Sequence, residues 1–302
     1  LKNHIFYIAL LSFSNTLFAQ QINDVDGNSY PTVTIGNQVW MGASLKTTRF
    51  SNGDTIPTTV PPTLDVNGEP APLYQWSYNG DDSLAEIYGR LYTWYVVGDS
   101  RNVCPNGWHV PSSAEFDTLE LFLGGSDIAG GKLKQTGYDH WLFPNTGATN
   151  ETGFNGVPNG NRNLLGYFND MGIVSDIWSS TEGVQGAWDF DLNYDNESTV
   201  SYDDPKGFAF AIRCLRNEPA KIDMSEIKIY PTVSDQFITI SSEGYYGLKY
   251  FIISFDGKSV MQGELMNSIT MLDLSDLSAG SYVVKITNTS STVEYKLVKI
   301  TK

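Results

Sequence analysis

All seven tryptophans of this 302-residue chain lie between Trp40 and Trp188. The charge divides in nearly the same place. Residues 1–218 carry 25 acidic and 11 basic side chains, whereas residues 219–302 carry 9 and 8. Such sorting marks two differently built units, and the length accommodates two ordinary domains. A hydrophobic content of 41% makes the chain globular rather than disordered. The net charge of −15 argues against nucleic acid or an anionic membrane surface as partner, because both need basic patches.

The opening "LKNHIFYIALLSFSNTLFAQ" reads as a secretory signal peptide over residues 1–19, with Lys2 as the positive start and Ala19 as the small residue for cleavage. Its apolar run is about half the ~20 residues a membrane span requires, and no later segment is apolar enough to cross. Export changes the meaning of the two cysteines, Cys104 and Cys214. An even pair in an oxidising compartment is most often a disulfide. The alternative is a catalytic thiolate at Cys104, for which His109 is the local base.

Along the chain, "DVDGNSYPTVTIGNQVWM" (24–41) reads as a hairpin with glycine-bearing turns. Its acidic start resembles a calcium loop but lacks the far-end glycine and glutamate. Residues 54–87, with five prolines, read as a long irregular connection. Ser112 precedes Glu115 by three, a capping box for a helix whose Phe116, Leu119 and Leu123 share one face and whose stop is Gly124-Gly125. "GFAFAIRC" (207–214) is a strand, and "NEPAKIDM" (217–224) reads as a linker. Beyond it lie six or seven short strands at regular spacing, with a turn at Asp256-Gly257, the pattern of an immunoglobulin-like β-sandwich.

"WDFDLNYD" (188–195) alternates strictly, with Trp188, Phe190, Leu192 and Tyr194 on one face and Asp189, Asp191, Asn193 and Asp195 on the other. Neighbouring carboxylates on such a face project about 7 Å apart. The face reads first as a solvated strand surface. Pairing with Lys206 or Arg213 is one alternative. A weak calcium site made by Asp189, Asp191, Asn193 and Asp195 is the other, since oxygen ligands suit that ion. No other cofactor is expected.

Two family resemblances emerge from the blocks themselves. "DVDGNSYPTVTIGNQVWM", "YGRLYTW", "CPNGWHVPSSAEF", "AGGKLK", "NETGFNGVPNG", "WSSTE" and "GFAFAIRCL", in that order, resemble the Fibrobacter succinogenes major paralogous domain over residues 24–217, drawn as a domain at 22–217. The resemblance implies an α+β C-type-lectin-like fold and supports pairing Cys104 with Cys214. Formylglycine-generating enzymes are distant relatives, but their catalytic cysteine pair is not evident here. "IKIYP", "FDGKSV", "LDLSDLSAGSYVVKI" and "YKLVKI" resemble the C-terminal sorting domain of the Bacteroidota type IX secretion system over 225–302, after a linker at 218–224. The chain departs from that family at Thr232-Val233, where Asn-Pro is usual. The resemblance implies the type IX machinery as partner of residues 225–302, and a secreted or outer-surface destination.

No nucleophile elbow, phosphate loop or HExxH zinc pattern occurs. The expected function is therefore a non-catalytic recognition or adhesion protein that binds polysaccharide or a matrix protein. Tryptophan and tyrosine rings can stack on sugar faces while Asp and Asn bind hydroxyls. The alternatives are a carbohydrate-active enzyme using paired carboxylates and a purely structural surface component.

Overall fold

The computed structural model describes residues 21–217 and 224–301, apart from 243, 244, 246, 289 and 290. The leader at 1–19 and all but the last residue of the linker at 218–224 lie outside the described residues. Among the described residues, no helix is long and apolar enough to cross a membrane. Both units are dominated by β-sheet; among the described residues the α-helices fall in the first, and the second has one short 3-10 turn at Met224–Glu226.

In the first unit the strands Ser29–Ile35 and Gln38–Met41 form the hairpin legible in the sequence, turning at Gly36 with φ 60°. The acidic start of this stretch is a turn. The Asp24 carboxylate accepts the N–H groups of Asp26 and Asn28, and Asp26 accepts the Thr48 N–H and pairs with Arg49 at 3.3 Å. Leu215–Arg216 adds to the same sheet beside Gln38–Met41, with Trp108–His109 on its far side. The start and end of the unit are thus neighbours in one sheet.

The Cys104–Cys214 disulfide sits beside that seam, packed among Tyr30, Met41, Phe50, Tyr92 and Ile212, with its Cα atoms 5.9 Å apart. It closes a separation of 110 residues. A loop of that length constrains the unfolded chain by roughly 4–5 kcal/mol in the entropic account.

The Ser113–Leu123 helix starts where Ser112 donates its N–H and hydroxyl to Glu115 Oε2, each at 2.8 Å. Its Phe116, Leu119 and Leu123 are buried, and the Phe116 ring stacks on Phe190 at 4.3 Å. Gly124 ends it in the left-handed conformation. A second helix, Ser126–Leu133, follows at once.

The irregular reading of 54–87 needs correcting at its far end. Gln75–Trp76 is a strand and Asp82–Tyr88 is a helix, whose first turn is capped by the Asp81 side chain on Ser83 N–H at 2.9 Å.

The second unit is two sheets facing across one core. Lys228–Tyr230, Phe237–Ser241 and Ile269–Asp273 form the smaller. The larger runs Val233–Ser234, Thr292–Lys299, Gly280–Thr287, Leu248–Ser254, Ser259–Leu265. Ile229, Ile238, Ile240 and Leu272 from the first meet Leu248, Ile252, Val284, Ile286 and Leu297 from the second. The segment that departs from the sorting-domain pattern, at Thr232-Val233, leads into an edge strand that pairs in parallel with Thr292–Lys299.

Candidate functional site

Two antiparallel strands, Val174–Glu182 and Ala187–Asn193, build the most chemically distinctive region. Their register places Asp191 opposite Asp176, Phe190 opposite Ile177, and Asp189 opposite Trp178. Directly paired residues share a face. One face therefore carries Ile177, Phe190 and Leu192 into the core beside Phe116 and Leu133. The other carries Asp176, Asp189 and Asp191.

This second face is not solvated, which corrects the first reading of the sequence. Asp189 is 2% exposed and Asp191 7%. The short strand Asp203–Asp204 pairs across Ala187 and Trp188, and the Phe210 ring lies 4.2 Å from Trp178. A cleft of about 290 Å³ remains. Its lining combines five carboxylates (Asp170, Asp176, Asp189, Asp191 and Asp204) and Asn161 with the rings of Tyr202, Phe208 and Phe210.

The carboxylates are only partly satisfied. Asn161 Nδ2 donates to Asp176 at 2.8 Å and to Asp170 at 3.1 Å. The Tyr202 N–H donates to Asp189 Oδ1 at 2.6 Å. Asp189 Oδ2 and Asp191 Oδ1 are buried with no amide, hydroxyl or cationic donor, and their carboxyls instead lie in hydrogen-bonding contact with those of Asp204 and Asp176 respectively. Burial pushes all three hairpin carboxyls upward, Asp176 to about 6, Asp189 to about 9, and Asp191 well above the carboxylate range. The charges of Asp176 and Asp189 add to the rise at Asp191, and contact with Asp204 adds to that at Asp189. Burial thus favours the neutral form of Asp189 and Asp191 over the charged one.

Neither proposed basic partner relieves this. Lys206 pairs with Glu182 at 3.3 Å and lies over the Trp94 ring. Arg213 is fully buried among the Met41 and Phe154 carbonyls and the Phe154 ring. The four-residue calcium reading also fails to assemble. The strand ends at Asn193, leaving Asp195 exposed and bonded to its neighbour Asn196. Among the described residues, no three acidic, histidine or cysteine groups are arranged to hold a metal ion. As arranged, the residues do not form a divalent-cation cage, which needs six to eight oxygens at about 2.3–2.6 Å.

The cysteine–histidine alternative is also absent here, because Cys104 is bonded to Cys214. His109 instead bridges Glu115 Oε1 at 2.9 Å and Asn217 Oδ1 at 2.8 Å, which raises its pKa and ties the helix start to the end of the unit.

Asp176, Asp204, Asp170 and Asn161 escaped the sequence reading. The available signal was "VSDIWSS", where Asp176 sits at the centre of a strand-like alternation flanked by Val174 and Trp178.

Comparison with known proteins matches residues 33–216 to the Fibrobacter succinogenes major domain and residues 228–300 to a secretion system C-terminal sorting domain. Among curated proteins, none matches. One solved structure with similarity is PorZ, an essential bacterial surface component of the type-IX secretion system of human oral-microbiomic Porphyromonas gingivalis. It shares 12% identity at a TM-score of 0.24, over 44% of this chain and 24% of that one. The chain spans about a quarter of that protein, and likeness at this level carries no argument. The sorting domain directs export to the outer cell surface or into the medium through the type IX machinery. The chain belongs to the Fibrobacter succinogenes major domain family, and carries a secretion sorting domain behind that unit.

Proposed function

We propose that this is an exported recognition protein whose first unit is a lectin-like ligand-binding module, carried by an immunoglobulin-like sorting sandwich. The binding site is the acidic, aromatic-lined cleft, and the ligand is a polysaccharide. One observation carries the reading: a cleft lined by Asn161, Asn193 and five aspartates also presents the rings of Tyr202, Phe208 and Phe210. Sugars answer both features, because hydroxyls donate to carboxyls and ring C–H faces stack on aromatics. In this reading the protein binds and does not turn over its ligand.

A glycoside hydrolase is the second reading. It is favoured by the register that sets Asp176 opposite Asp191, with Asp189 on the same face of the strand pair, since paired carboxyls are what such chemistry uses. A screen of the full chain against polysaccharides and matrix proteins, with reducing ends monitored, tests both. Saturable retention without new reducing ends is expected. Release of sugar that Asp189→Asn abolishes would support the hydrolase, and retention on matrix protein alone would contradict a glycan ligand.

A further inference from the structure

We propose that the first unit carries a second pocket, apart from the acidic cleft, which takes one uncharged sugar residue through its hydroxyls. It shares no lining residue with that cleft, and it stands whether or not the cleft binds glycan.

The pocket opens where the irregular stretch after Asp54 folds against Gln75–Trp76. Ser77 carries the argument. It occupies the cap position before the turn Tyr78–Gly80, where a serine hydroxyl ordinarily accepts a backbone N–H. Here it caps nothing, because Asn79 and Gly80 are left-handed, at φ 54° and 75°, and the Gly80 N–H goes to the Ser77 carbonyl at 2.9 Å. Pro62 presses on that turn, so that a Cβ on Gly80 would stand 2.6 Å from its ring. Ser77 is only 3% exposed, yet its hydroxyl has no partner among the described residues and is not sealed from solvent. The cavity is the open space it borders. Burying a hydroxyl so deeply without a protein partner is costly, and it leaves the group for whatever enters the pocket.

The neighbours of Ser77 decide what fits. Arg90 donates to the Lys46 carbonyl, Gln75 Oε1 and Asp82 Oδ1, at 2.7–3.1 Å, which leaves a hydrogen on each terminal nitrogen. Gln75 Nε2 reaches the Ile56 carbonyl only at 3.5 Å. The exposed Asp82 has its other oxygen unpaired among the described residues. Spare donors and a spare acceptor thus stand together, with the Arg90 charge already balanced by Asp82. A sugar hydroxyl gives and takes hydrogen bonds, so it answers both. An anion would reach Arg90 only by facing Asp82, in an acidic unit, and a cation would face Arg90. The exposed Val60 and the Pro62 ring add apolar surface for the C–H groups of a sugar face. At about 340 Å³, the space equals roughly eleven waters of about 30 Å³ each. It lies near the lower end of small-ligand pockets, about 300 Å³, which suits one residue rather than a chain.

The test is saturation-transfer NMR on the full chain with the methyl glycosides of glucose, galactose and mannose, and with galacturonate and sulfate as anions. Melting temperatures are recorded for every variant. At least one glycoside should bind saturably, and Ser77→Ala should weaken it about fivefold, the loss of one neutral hydrogen bond. Thr58→Met, an exposed change at the mouth, should weaken it as well. Phe208→Ala, in the acidic cleft, should leave it unchanged. Glycoside binding that folded Ser77→Ala and Thr58→Met both retain at full strength overturns this site, and its loss in Phe208→Ala assigns it to the cleft instead. Galacturonate or sulfate binding more tightly than every glycoside, and weakened by Ser77→Ala, overturns the uncharged ligand in favour of an anion. Failure of all three glycosides to bind the folded wild type overturns the proposal outright.

Discussion

Burial sets the chemistry of Asp189 and Asp191 more than their sequence neighbours do. A carboxyl whose pKa is raised by folding binds its proton in the folded chain while the unfolded chain has lost it. Stability then falls as pH rises between the unfolded value, about 3.9, and the folded one, about 9 for Asp189. We expect the melting temperature of the wild type to decline from pH 5 to pH 9, and that of Asp189→Asn to decline less. A differential scanning series across that range checks it, and equal slopes would mean that Asp189 ionises freely. His109, raised by Glu115, tilts stability the same way but is common to both proteins, so the comparison reads Asp189 together with its effect on the coupled Asp191. The carboxylates lowered by their partners, such as Asp26 and Glu115, act below this range. At this scale the alternation of Asp189 and Asp191 was legible, because strand geometry fixes which side chains share a face. Their burial was not. It depends on Asp176 and Asp204 from other strands, and no local period reports a cover brought by distant chain.

Helices were legible where local chemistry suffices and hidden where packing overrules it. Ser112, Glu115 and the spacing of Phe116, Leu119 and Leu123 announce the Ser113–Leu123 helix before any fold is known. Ser126–Leu133 contains Gly130 and Gly131, each disfavoured in a helix by about 1 kcal/mol relative to alanine. Their presence is explained only by neighbours. A Cβ on Gly130 would stand 2.2 Å from the Ser198 carbonyl oxygen, and one on Gly131 would stand 2.5 Å from that of Gly147. Gly130→Ala should therefore destabilise the protein by about 1–3 kcal/mol despite its better propensity. The urea midpoint measures this, and an unchanged or raised midpoint would show that the loop at Ser198 yields freely. The sorting unit gave up its strands more readily, since alternation and turn residues such as Gly257 are local. Its edge strand Val233–Ser234 did not show, because two residues carry no period.

Taken whole, the chain couples a disulfide-closed unit holding an acidic cleft to a sandwich that directs export. The division at the end of the tryptophans was visible in composition, and the disulfide in cysteine count and compartment. The cleft was not, because its walls come from four separate stretches between Asn161 and Phe210. The proposed function requires that ligand meets protein at that cleft. The direct measurement is retention of the full chain on the polysaccharide that binds it best, compared with Phe208→Ala, with melting temperatures recorded for both. Phe208 lines the cleft without being fully buried, and loss of a stacking ring costs about 1 kcal/mol. Affinity should fall five- to tenfold in the variant while its melting temperature stays within a few degrees of wild type. Undiminished retention by a folded Phe208→Ala protein would contradict the claim that the cleft is the binding site.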